Sequence, residues 1–426
     1  MNSTSRSTPI LGLEFVSLAS MDNGGSSKVL PLPITRPVHI VFHGVAPFNH
    51  GHYGLHFGLA DKLIFLGSPT KLITGFFVDC RSDSPTYGVR HVEKFHPITT
   101  EMLCIPPGVG HAFEGLEEIF TINAYEALLP PPELLITEKN PWATGADILN
   151  FAFDVTDSEL PRVTPNKFPA SQRFYDLLRD YQKETLNLVR HDYPITEDVI
   201  LDDGSAVKLS VRKPIDKSLW PDEWENIENI SGLGWRRHYI VMGDDHTGYS
   251  ALIDPSPLQV IDHGTAEYSH DAYGIHLESE DRLTFVGEES RSIRAHFIDC
   301  RLDSPTLHKE CSITFHPSAL KFLVIPPGIA HAFESIEGVY TINRPRRCAG
   351  NLERMEPGND IIDWPLAARP APILEIVEND APLEYYHSLA LRQQRFLSEN
   401  DLSSSALSVL LEDGHGVAIR LLLRKA

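Results

Sequence analysis

The chain has 426 residues, 42% of them hydrophobic and 22% charged, with a formal net charge of −21. Such a composition is ordinary for globular domains, and the acidic balance argues against nucleic acid and anionic membrane surfaces as partners. No apolar run reaches the roughly 18 residues of a membrane span. The polar start, MNSTSRSTPILGLEF, is unlike a secretory signal. The five cysteines show no zinc-type CxxC spacing, so reduced thiols and a cytoplasmic location are expected.

The chain contains itself twice. Ile40 to Asn123 aligns without a gap to Val260 to Asn343. HGVAPFNHGHYGLHF recurs as HGTAEYSHDAYGIHL, VDCRSDSPT as IDCRLDSPT, and PPGVGHAFEGLEEIFTIN as PPGIAHAFESIEGVYTIN. A period this long is no solenoid repeat, so each copy should bury its own core.

In chain order, residues 1–10 read as disordered. A first copy follows over 11–213, then a Pro-bearing acidic linker over 214–230, then a second copy over 231–426. Inside each copy, short alternating runs such as Ile293, Ala295 and Phe297 lie between Gly, Pro and Asp turns, which predicts a sandwich or barrel. One helix per copy is predicted next, the first carrying Phe174, Leu177, Leu178 and Tyr181 at helical spacing and the second spanning Leu383–Ser398. Each copy ends in a predicted hairpin, with Asp203-Gly204 and Asp413-Gly414 as turns.

Five histidine pairs sit at matching positions: His43/His263, His50/His270, His56/His276, His96/His316 and His111/His331. A lone histidine is usually a hydrogen-bonded structural residue. Kept pairs within a strand-rich core point instead to a barrel interior, where alternate strand residues converge.

PPGVGHAF and PPGIAHAF resemble the second cupin motif, PxGxxH. With YGLHF and YGIHL, then DKL or DRL, VDCR or IDCR, and SPT, the order is similar to that of dTDP-4-dehydrorhamnose 3,5-epimerase and its relatives. GNDIIDWPL and ILEIVENDAPL resemble that family's tail. The resemblance implies an all-β chain of two tandem cupin barrels, each with a C-terminal helix and hairpin, fused as a pseudo-dimer. A homodimer of the chain stays open.

The implied activity is epimerisation or isomerisation of a keto sugar, nucleotide-linked in the family's manner, by proton abstraction next to a carbonyl. No cofactor and no metal are implied. His276 matches the family's base, Asp380 the carboxylate that orients it, and Tyr340 the acid on the opposite face of the sugar ring. Arg282, His331, His263, Tyr273 and Arg301, with His56, Lys62 and His111 of the first copy, would surround the substrate. Imidazole suits such a base because its pKa lies near working pH, and a carboxylate on its far nitrogen fixes the tautomer.

Two departures are visible. Tyr53 and Tyr273 replace the family's arginine before GLH, and Phe120 stands opposite Tyr340, with Asn166 opposite Asp380. The second copy is therefore expected to be the main active site. The basic run NRPRR, Asn343–Arg347, offers a replacement grip for an anionic substrate. Two other classes compete: a metal-dependent bicupin oxidoreductase or isomerase, using His50, His52, His56 and His111, and a non-catalytic sugar-binding bicupin.

Overall fold

The structure is a computed structural model. It describes residues 5–22, 27–47, 49–129, 148–190, 196–200, 206–210, 224–227, 229–242, 248–348, 360–376, 379–399, 407–412 and 418–423. Among the described residues the fold is all-β apart from the helices Gln172–Arg190 and Leu383–Glu399, and the strand ladders are antiparallel. Each repeat faces a large sheet against a smaller one. In the second repeat the strands Ser279–Val286, Lys321–Ile325, Tyr340–Asn343 and Leu258–Asp262 form one wall. Ala272–His276, Ile293–Asp299, Ile329–Glu334 and Ile361–Pro365 form the other. The first repeat builds the same two walls, and both are cupin-type jelly-roll barrels.

Alternation fills each barrel. Leu63, Phe65, Phe77, Leu103 and Phe113 form the first core, and Leu283, Phe285, Phe297, Leu323 and Phe333 the second. The opposite faces of the large sheets are also covered. Ile64, Leu66 and Ile122 of one repeat pack on Val260, Val286 and Ile342 of the other in a shared third core. Burial on both faces explains why KLIFL, Lys62–Leu66, reads as a continuous apolar run rather than a polar/apolar alternation.

The repeats exchange strands. Lys28–Leu32, ahead of the first barrel, adds to the second repeat's sheet beside Leu258–Asp262. Gly248–Leu252, ahead of the second barrel, adds to the first repeat's sheet beside Val38–Phe42. Leu30 opposes Val260 and Ser250 opposes Ile40, which are equivalent registers, so the exchange obeys a pseudo-two-fold axis. Buried Arg344 pins the junction by donating to the carbonyls of Ser256 at 2.9 Å and Arg36 at 2.7 Å. Arg36 in turn donates to the carbonyls of Tyr125 and Ala124.

Several expectations change. Ser5–Ser7, within the stretch expected to be disordered, pairs with Glu14–Ser17, and Ile10 is buried. Within the 214–230 linker, Trp224–Asn226 pairs with Gly234–Arg237, and Ile227 and Ile230 join the second core. In the first helix Phe174 and Leu178 face inward, whereas Leu177 is exposed. The Tyr181 side chain and the turns at Asp203-Gly204 and Asp413-Gly414 lie outside the description, although both flanking strand pairs form. The described cysteines are free, and burial pushes the thiols of Cys80 and Cys300 up to about 12. No described helix is long and apolar enough to cross a membrane.

A shared core couples the repeats. Ile342→Ala, at a fully buried position, should cost about 2–5 kcal/mol. Urea unfolding followed by circular dichroism should remain one transition shifted to lower denaturant. Two separate transitions, with only one displaced, would mean that the repeats fold independently.

Candidate active site

The PxG turn sets the geometry of each barrel. Gly328 has φ +78°, and a Cβ there would lie 2.6 Å from the Arg301 Cγ and from Ile376. Only glycine fits that turn. Its N–H donates to the His276 carbonyl at 2.7 Å, tying the end of one strand to the start of Ile329–Glu334, which carries His331. Gly108 donates to the His56 carbonyl in the same way at 2.7 Å.

Strand alternation then sorts the side chains. On Ala272–His276, Tyr273 and Ile275 point outward to Trp364 and Ile298, leaving His276 on the barrel side. His276 Nε2 lies 3.3 Å from Asp281 Oδ2, and His331 Nε2 lies 3.4 Å from the same oxygen. Asp281 Oδ1 accepts a 2.8 Å hydrogen bond from Asn343 Nδ2. The far nitrogen of each ring is also engaged. His276 Nδ1 is 3.3 Å from Asp360 Oδ2, and His331 Nδ1 is 3.1 Å from the Ile329 carbonyl oxygen. Asp360 is held in turn by Ser279 Oγ at 2.5 Å and Arg347 at 3.2 Å.

Electrostatics follow from that arrangement. Burial works against a charged His276, but Asp281 and Asp360 outweigh it and hold the ring's pKa up at about 10. Burial lowers His331, with Asp281 only partly opposing it. Burial raises Asp281, yet His276 reverses the sign and keeps it below the usual carboxylate range. Asp360 is also held below the usual carboxylate range, because His276 and Arg347 overcome its burial. The pocket thus holds an imidazolium between two carboxylates beside a neutral imidazole.

The first repeat repeats this set. His56 and His111 approach Asp61 Oδ2 through Nε2 at 3.7 and 3.3 Å, and Asn123 donates to Asp61 Oδ1 at 2.8 Å. His111 Nδ1 lies 3.2 Å from the Val109 carbonyl. In sequence, GADI ending at Ile148 matches GNDI ending at Ile361, so Asp147 is the counterpart of Asp360. Asp147 itself lies outside the described residues.

Other expected site residues are placed elsewhere. Asp380 does not orient His276; Asp360 occupies that position, while Asp380 pairs with Arg346 with its side chain 70% exposed. Tyr340 is not in the barrel with His276. It packs against the shared core, and its hydroxyl donates to the Gly67 carbonyl of the other repeat at 2.7 Å. It borders a cavity of about 700 Å³ between the repeats, together with Phe42, His43, Thr99 and Asp262.

Arg282 faces away from the histidines because it neighbours the inward Asp281, and Asp254 and Glu280 hold it at 2.8 and 3.0 Å. Lys62 likewise pairs with Glu126. Arg301 is spent on Asp299, which also accepts from Ser304 and Thr306, so the DCRLDSPT motif builds a self-satisfied turn. Tyr273 is buried on the outer face. Arg344, Arg346 and Arg347 all have internal partners, so the basic run is not a free anion grip.

The remaining histidines divide the same way. His263 Nε2 lies 2.9 Å from the Thr341 hydroxyl, and burial drops its pKa to about 3, leaving it neutral. His50 and His270 accept from the Phe113 and Phe333 backbone N–H groups at 3.1 Å. His96 and His316 bond to the carbonyls of Lys71 and Arg291. His50 and His52 therefore do not join His56 and His111 in a four-histidine set, and the carboxylate of Asp61 does.

Fold and site together define a protein of two fused cupin-type barrels, each with a buried His–Asp–His set. No family profile and no curated protein matches the chain. Among solved structures, it is similar to a dTDP-4-dehydrorhamnose 3,5-epimerase from Sulfolobus tokodaii, at 17% identity over 39% of this chain and 97% of that one, with TM-score 0.25. It is similar to NovW, a 4-keto-6-deoxy sugar epimerase from Streptomyces spheroides, at 18% identity over 43% and 92%, with TM-score 0.22. It is also similar to a Lactobacillus farciminis oxalate decarboxylase, at 11% identity over 80% and 84%, with TM-score 0.20.

The charge pattern fixes how stability varies with pH. His276, raised above its unfolded value of about 6.5, contributes stability that is whole below pH 6.5 and lost as pH rises to about 10. Asp281 and Asp360, depressed, contribute above their unfolded values and lose it as pH falls. Melting temperature should therefore fall between pH 7 and 10 more steeply in the native chain than in His276→Gln. Parallel curves would show that His276 titrates normally.

Proposed function

We propose that the chain is an epimerase or isomerase that moves a proton on the carbon next to a carbonyl, in a keto sugar bound in the second barrel. The observation that carries this reading is the clasp of His276 between Asp281 and Asp360. In it, His276 is the proton carrier and Asp360 fixes its orientation through Nδ1. With a pKa near 10, only about one ring in a thousand is free base at pH 7, but that fraction is a stronger base. The single proton of neutral His331 is committed to the Ile329 carbonyl, so the imidazolium that His276 becomes on taking the proton is the donor for a developing enolate oxygen.

Tyr340 and Arg282 take no part. Without the opposing tyrosine, one imidazole removing and returning the proton on the same face of the sugar is the simpler course, which favours isomerisation over inversion. A nucleotide-linked substrate would need contacts other than Tyr273 and the Asn343–Arg347 run.

Incubation with 4-keto-6-deoxy sugars in D₂O, read by NMR, tests the reading. Deuterium should enter the carbon beside the carbonyl at a rate rising with pH toward about 10. His276→Gln and Asp360→Asn should each lower that rate, the former by about 10²–10⁴. Exchange unchanged in His276→Gln would remove this histidine from the chemistry.

A further inference from the structure

Two repeats of one sequence should give a cavity on their seam two matching halves. The cavity of about 700 Å³ beside Tyr340 has unlike halves. The strand Val38–Phe42 ends on Phe42, opposite Phe120, whereas its counterpart Leu258–Asp262 ends on Asp262, opposite Tyr340. All four side chains line the cavity. Each lies two residues from a member of the shared core, namely Ile40, Ile122, Val260 and Ile342, so strand alternation puts all four on the sheet face that carries that core. The contrast continues at the open side of the cavity. Val45 and Ile98 of the first repeat are 71% and 45% exposed there, and the matching residues of the second repeat are Thr265 and Ser318. The first repeat thus supplies an apolar wall and the second a polar one.

We infer that this cavity binds a small amphipathic organic cation, with its flat apolar body against Phe42 and Phe120 and its ammonium on Asp262. Charge selects the sign. Glu118, Asp262, Glu288 and Glu289 line the cavity against Lys28 and Arg291. Glu118 pairs with Lys71 and Arg291 with Glu337, which leaves three carboxylates and one cation facing a ligand. Asp262 is the innermost of these carboxylates, because it sits on the strand rather than in a loop. Its Oδ2 accepts from the Thr99 hydroxyl at 2.8 Å and its Oδ1 from the Gly264 N–H at 2.9 Å. Both donors are neutral, so they orient the carboxylate without cancelling its charge. Each oxygen keeps a lone pair for a further donor.

Size and position agree with a ligand site. Pockets for small molecules measure about 300–1,000 Å³, favour the junctions between domains, and combine apolar walls with a few placed polar groups. Tyr340 is one of those groups. Its hydroxyl donates to the Gly67 carbonyl, which leaves the phenol oxygen as an acceptor beside Asp262. Two matched pairs run the other way, Thr99 with Ala319 and Thr100 with Leu320. Thr99 is spent on Asp262, so it serves the polar wall from the opposite repeat. An occupant would touch both repeats and stabilise the seam by mass action. The site is separate from the barrel that holds His276, and the inference does not rest on the isomerase reading.

Calorimetric titration of the full chain with probes of similar shape and different charge tests this: 2-naphthylmethylammonium, 2-naphthylmethanol and 2-naphthoate. One saturable site per chain is expected. The ammonium should bind about tenfold tighter than the alcohol, and the carboxylate weakest of all. Asp262→Asn should erase the advantage of the ammonium over the alcohol. Ile98→Ser, which installs the second repeat's residue at a half-exposed position, should weaken all the probes alike. His276→Gln should leave binding unaltered. Should Asp262→Asn lose its circular dichroism signature, Thr265→Lys at an exposed position replaces it and should weaken the ammonium while strengthening the carboxylate. Absent or unsaturable binding, a carboxylate bound as tightly as the ammonium, or an ammonium preference indifferent to the Asp262 and Thr265 variants overturns the inference. Loss of binding in His276→Gln would put the probe in the barrel and overturn it as well.

Discussion

One carboxylate oxygen organises each barrel. Asp281 Oδ2 faces two imidazoles, and the other nitrogen of each ring is fixed by Asp360 or by a backbone carbonyl. Because every outer contact is fixed, the rings cannot turn away from the carboxylate. The charge on His276, the neutrality of His331 and the depressed pKa of Asp281 all follow from that geometry. In a water-poor interior such pairs are worth far more than at the surface, and breaking one strands a buried charge.

The barrels hold this arrangement because they are rigid on both faces. Each large sheet is packed internally by its own barrel core and externally by the shared layer of Ile64, Leu66, Val260 and Ile342. Exchange of Lys28–Leu32 and Gly248–Leu252 makes each repeat complete the other's sheet. Strands that would otherwise present edges are thereby paired within one chain. A consequence is that Tyr340, at the seam, serves the junction through its bond to Gly67.

Much of this was legible in the sequence. The repeat, the barrel class, the two helices and the terminal hairpins all follow from patterns of local origin. The PPG turns and the SPT motif announced their positions because glycine and hydroxyl chemistry is local. The site was harder. Resemblance drew attention to the cations Lys62 and Arg282, but strand alternation turns those outward and the preceding Asp61 and Asp281 inward. The signal was present, since both copies keep that aspartate, the asparagine of TIN and the aspartate of G-x-D-I. Asp380 was favoured over Asp360 by motif likeness, and only the pairing of Ile361–Pro365 with Ala272–His276 brings Asp360 to the ring. The expected difference between repeats rested on Tyr340 and Asp380, and neither side chain touches His276. Strand exchange across the seam involves contacts hundreds of residues apart, which no local pattern encodes.

The most direct test of this account is ¹⁵N NMR of histidine ring nitrogens in chelator-treated protein, assigned with His276→Gln and His331→Gln. At pH 7 the account predicts that His276 carries protons on both nitrogens and loses one near pH 10. It predicts that His331 is neutral with its proton on Nδ1. A neutral His276 at pH 7, or a His331 protonated on Nε2, would contradict it.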